Sequence, residues 1–142
     1  MGKEEFVKQK VADCYWNEDV NCATTMLKIL AEVHDINLNS QVIHAAIGMH
    51  GAGSFGAQCG LVEGSLLFIG IWGKEKDFSI KTITEICYNF AQKFEQKFSS
   101  LQCKYLRPQG FKPENPPHLC ERLTNQAVIF TIEYLESKKL SL

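Results

Sequence analysis

Ser79 to Phe98, read as SIKTITEICYNFAQKFEQKF, places Ile80, Ile83, Ile86, Cys87, Phe90, Ala91, Phe94 and Phe98 three or four residues apart, with no glycine or proline between them. That spacing stacks apolar side chains along one face of a helix, and it is the strongest periodicity in the chain. The same period recurs on both sides. Phe6, Val7, Val11, Cys14 and Tyr15 mark a first helix, and Val20, Met26, Leu27, Leu30 and Val33 a second, with Asn17 as its cap and Glu18 and Asp19 at its positive end. The polar run His34 to Asn39 ends the second helix, and Ser40 is the expected cap of a short third one through Ile47.

A glycine-dense stretch, Gly48-Met49-His50-Gly51-Ala52-Gly53-Ser54-Phe55-Gly56, then predicts irregular backbone. A further helix is expected from about Gln58 to Ile71, closed by Gly73, with Gly60, Gly64 and Gly70 implying close approach of another backbone. All four prolines, at 108, 113, 116 and 117, fall in the segment from Ser99 to His118, which reads as a loop or short turns. The last helix, from about His118 to Ser137, carries Leu119, Leu123, Ala127, Ile129, Phe130, Ile132 and Leu135 on its apolar face. The expected fold is an all-α bundle of five to six helices with a Gly-rich and a Pro-rich loop. Residues 1–142 form a single domain in this reading, since 142 residues with 45% hydrophobic side chains suit one core.

Fifteen basic against sixteen acidic residues leave a net charge of −1, so neither nucleic acid nor an anionic membrane is an expected partner. The most apolar run, Leu61 to Trp72, is short and carries Glu63, which argues against membrane insertion. The charged N-terminal stretch does not read as a secretory signal, so a cytoplasmic setting is expected. In a reducing compartment six cysteines point to metal binding or redox chemistry before structural disulfides.

The cysteines divide by position. Cys14 and Cys87 lie on apolar helical faces and read as core. Cys22, Cys59, Cys103 and Cys120 each stand near an expected helix start, where unpaired N–H groups and the helix dipole favour thiolate. Four thiolates suit an iron–sulfur cluster, zinc, or two dithiol pairs. No Cys-x-x-Cys is present, so distant segments must supply the site. The loop and the glycines after it, Gly53, Gly56, Gly60 and Gly64, are candidates to let backbone approach a bound centre. His50 and His118 could ligate a metal or tune a thiolate, and Glu63 could exchange a proton beside Cys59. Gly51-Ala52-Gly53-Ser54-Phe55-Gly56 also matches the dinucleotide-binding string, with Asp77 beyond it, but the chain lacks alternating strands and helices for a parallel sheet.

Cys22 within Asn21-Cys22-Ala23, then Cys59-Gly60-Leu61-Val62-Glu63-Gly64, then Cys103 and Cys120, resembles the C_GCAxxG_C_C family, whose members are prokaryotic proteins of about this size with four characteristic cysteines. The resemblance spans nearly the whole chain. It implies redox activity and carries the family's cysteines onto Cys22, Cys59, Cys103 and Cys120 and its motif glycines onto Gly60 and Gly64. Leu61 stands where the family prefers alanine, and Cys14 and Cys87 match nothing in the pattern. Electron transfer through an iron–sulfur centre and dithiol–disulfide cycling with a redox partner protein are both compatible with these residues. A structural zinc site and an α-helical interaction module, which leaves room for a homodimer, are the alternatives from other classes.

Overall fold

The computed structural model describes residues 2–107 and 112–141, with the side chains of 139–141 left aside. Eight α-helical segments are present among them: α1 (Lys3–Ala12), α2 (Cys22–Val33), α3 (Ser40–Ala45), α4 (Gly51–Ser54), α5 (Gly60–Glu75), α6 (Ile80–Phe98), α7 (Cys103–Leu106) and α8 (Glu121–Ser141). Five of these are long, so the all-α expectation holds, with short helical turns filling both loops. The described residues contain no strand, only one antiparallel bridge between Gln58 and Gln102. The dinucleotide-binding alternative, which needs a parallel sheet, therefore fails. Pro108 lies outside the described residues.

The two middle helices α2 and α5 pack on each other most extensively, and α8 lies across α1, α2 and α5. Small residues set the distance between α2 and α5. A Cβ on Gly64 would stand 2.5 Å from the Ala23 carbonyl oxygen and 3.0 Å from the Met26 Cβ, so only glycine fits. Gly70, in contrast, faces open space, and Gly73 does not end α5. A Cβ on Gly73 would stand 2.5 Å from Ile83 Cγ1, which makes it the point where α6 crosses, and the helix runs on to Glu75.

The ends of the helices follow their caps. Asn21, not Asn17, caps α2: its side-chain oxygen accepts from the Thr24 N–H at 2.8 Å, and its Nδ2 donates to the carbonyls of Ala46 (3.2 Å) and Ile47 (2.8 Å). Asn17 instead belongs to a π-helical turn, Asp13–Asn17, that prolongs α1, and Asp19 at φ 54° breaks the chain before α2 starts. Val33, the last residue of α2, is exposed rather than core. Asn39 occupies the cap position of α3, and the helix stops at Ala45 rather than Ile47. Ser79 caps α6 through the Thr82 N–H at 3.1 Å, and Ser99 closes it in the left-handed conformation at φ 76°. Ile86, Phe90 and Phe94 are buried, and Phe90, Phe94, Phe98, Phe130 and Tyr134 form an aromatic cluster between α6 and α8. Ile80 sits in the first turn, outside that contact, and is exposed.

No described helix is long and apolar enough to cross a membrane. Replacing Gly64 with Ala forces α2 and α5 apart. A loss of about 1–3 kcal/mol in unfolding free energy is expected, read as a lower urea midpoint with unchanged slope.

Candidate functional site

The four cysteines singled out by position come to one place. Cys22 is the first residue of α2, Cys59 is the N-cap of α5, Cys103 opens α7, and Cys120 ends the 3-10 turn Pro117–Cys120 that runs into α8. All four line a single cavity of about 480 Å3.

Backbone geometry holds them there. The Gln58–Gln102 bridge is flanked by hydrogen bonds from Cys59 N–H to Leu101 O (2.8 Å) and from Cys103 N–H to Ala57 O (2.7 Å), so the segments bearing Cys59 and Cys103 run antiparallel side by side. Residues that flank a paired position on both strands face the same side, which turns both thiols toward the cavity. Gly60 lies against Cys22, since a Cβ there would overlap the Cys22 sulfur. The glycine loop winds through four successive left-handed residues, Gly51 to Ser54. At Gly51 a Cβ would also stand 3.0 Å from the Cys103 Cβ. Gly51 is thus the loop glycine that backs the site. Gly53 has open space around its Cα, the Gly56 carbonyl accepts from Lys104 N–H at 3.3 Å, and none of Gly53, Gly56, Gly60 and Gly64 lines the cavity itself.

Burial, not the helix ends, dominates the thiols. It holds Cys22 well above the ordinary thiol range, with the neighbouring thiols of Cys59, Cys120 and Cys103 adding to the effect. Cys59 is pushed up to about 12 by burial even though the N–H groups of Leu61 and Val62 point at it. Cys120 is also raised by burial, against the opposing charge of Arg107. For Cys22, Cys59 and Cys120 the expectation that a helix start would make the group a thiolate is corrected accordingly: desolvation outweighs the few N–H groups at each end. Cys14 is buried as core, with a thiol pushed up to about 11 by burial, and Cys87 is half-buried on α6.

Two residues that the sequence reading passed over complete the site. Arg107 lines the cavity and shares a hydrogen bond with the Cys103 thiol, and its Nη1 reaches the Asn115 carbonyl at 3.5 Å. Its one legible mark was position, four residues after Cys103. Tyr15, read as ordinary core, sends its hydroxyl toward the thiols from the π-helical turn. It bonds Thr124 Oγ1 at 2.6 Å, and Thr124 donates to the Cys120 carbonyl at 2.9 Å, which ties α1 to the turn bearing Cys120.

The remaining candidates divide. His50 lines the cavity, with its Nδ1 3.2 Å from Ser54 Oγ. His118 stacks on the exposed Trp16 ring at 4.1 Å and does not line the cavity, while Trp16 Nε1 donates to Glu121 at 2.8 Å. Glu63 takes a hydrogen bond from Gln58 and also lies outside the cavity. Among the described residues, no group of three or more His, Cys, Asp or Glu is arranged to hold a metal ion. No step proposed for these thiols runs through a metal or a cluster.

The C_GCAxxG_C_C family, described as "putative redox-active protein", matches residues 20–134. The chain belongs to this family. Comparisons with curated proteins and with solved structures find no match. Cys22, Cys59, Cys103 and Cys120 lie within the matched span and on the cavity, whereas Tyr15 precedes that span.

A thiol raised to about 12 in the fold and about 8.5 in the unfolded chain stabilises the fold fully below pH 8.5, and that contribution is lost as pH rises toward 12. The urea midpoint is accordingly expected to fall more steeply between pH 8 and 10.5 in the wild type than in Cys59→Ala. Parallel slopes would contradict the burial of this thiol.

Proposed function

We propose that this protein catalyses thiol–disulfide exchange, with Cys103 as the attacking sulfur and Cys59 as the resolving one. The observation that carries the reading is the backbone pairing that puts Cys59 and Cys103 on the same face of two adjacent segments, as diagonal neighbours across the Gln58–Gln102 bridge, with Arg107 bonded to Cys103. The guanidinium beside Cys103 is placed to donate to its sulfur as the attack proceeds.

In the reductive direction the Cys103 thiol gives its proton to solvent, and the thiolate attacks one sulfur of a substrate disulfide. The substrate S–S bond breaks, a mixed disulfide forms on Cys103, and half of the substrate leaves as a thiolate that takes a proton from solvent. Cys59 then attacks the Cys103 sulfur. Its proton goes to the departing second half, and the protein is left with a Cys59–Cys103 disulfide. Two electrons pass from the dithiol to the substrate, and an external dithiol reductant restores the starting state. Cys22 and Cys120 line the same cavity without a step of their own in this exchange.

With a disulfide substrate, Cys59→Ser is expected to accumulate a mixed disulfide on Cys103, detected by intact and peptide mass spectrometry. Cys103→Ser is expected to form none, and Arg107→Gln to slow the first step by about tenfold, the worth of a hydrogen bond to a charged group. Iron with matching acid-labile sulfide in protein purified without oxygen, lost when all four cysteines become serine, would overturn the exchange reading in favour of electron transfer through a cluster.

A further inference from the structure

Only 8% of Cys103 and 5% of Cys59 is exposed, so neither sulfur stands at a surface that a second protein could touch. Exchange needs the attacking sulfur to meet a disulfide along its S–S axis, and a disulfide carried on a folded chain would have to bring its backbone into the cavity with it. The cavity instead has the size of a small-molecule site: about 480 Å3, within the usual range of roughly 300–1,000 Å3. Its walls are mostly apolar, with Ile43, Ile47, Leu106 and Leu123 among them. Among the described residues Arg107 is the one Lys or Arg that lines it, beside the attacking thiol; His50 also lines it, and the acidic Asp19 on its wall is exposed.

We propose that the substrate is a small disulfide bearing a carboxylate, which enters the cavity and sets that carboxylate against Arg107. The assignment rests on the exchange reading above and names its substrate class. Arg107 then has two tasks, to donate to the Cys103 sulfur and to orient the incoming carboxylate with its planar guanidinium. The apolar walls take the carbon skeleton on either side of the sulfurs.

The test compares three oxidants of the reduced protein: 3,3′-dithiodipropionate, which carries two carboxylates; cystamine, which carries two ammonium groups; and the protein disulfides of insulin. Each rate is divided by that oxidant's rate with free dithiothreitol to remove intrinsic reactivity. The dicarboxylate is expected to react about tenfold or more faster than the other two. In Arg107→Gln all rates are expected to fall with the loss of the hydrogen bond to Cys103, and the ratio of dicarboxylate to cystamine to drop toward one. Arg107→Lys keeps the charge but not the fork, and is expected to restore only part of that ratio. Insulin reacting as fast as the dicarboxylate, or a ratio unchanged in Arg107→Gln, overturns the substrate assignment and leaves the exchange reading standing. No reaction with any of the three overturns both.

Discussion

The close crossing of α2 on α5 is the constraint from which the site follows. Gly64 brings the α5 backbone onto Ala23, and one turn earlier Gly60 leaves room for the Cys22 sulfur. With side chains at both positions the first turns of the two helices could not lie together, and Cys22 and Cys59 would open onto different surfaces. The packing that buries Ala23, Met26, Leu61 and Val62 is thus the same packing that gathers the thiols. Core and site share one set of contacts, so the site is as rigid as the core beneath it.

The other two thiols reach the cavity by different means. Cys103 is held by a short backbone pairing with the segment before α5, and Gly51 makes room behind it. Cys120 comes from the opposite end of the chain, on a turn anchored through Thr124 to Tyr15. Four segments far apart in sequence therefore contribute one sulfur each. Such a site forms only after the fold has closed, which suits chemistry that must be shielded from solvent.

Much of this was legible in the sequence, for identifiable reasons. The helical period of Ile83 to Phe98 is long enough to dominate any local preference, and the four cysteines stood out because each fell at a helix start. What stayed hidden depended on partners across space. Gly73 looks like a helix terminator until Ile83 is seen to press on it. Asn17 looks like a cap, but the π-helical turn carries the first helix past it and leaves that task to Asn21. Gly51 differs from its neighbouring glycines in having Cys103 behind it, and Arg107 is marked only by its position four residues after Cys103. The charge state of the thiols was misjudged for a related reason: helix position is visible in one dimension, whereas burial depends on the whole fold.

The central claim is that Cys59 and Cys103 act as one redox couple. The most direct measurement is an equilibrium titration of the wild-type protein across a series of dithiol–disulfide buffers, with quenching by alkylation and peptide mass spectrometry of all six cysteines. One two-electron transition is expected, in which Cys59 and Cys103 are lost to alkylation together and recovered as a single linked peptide pair. Loss of Cys59 and Cys103 at different potentials, or linkage of either to Cys22 or Cys120 instead, would contradict it.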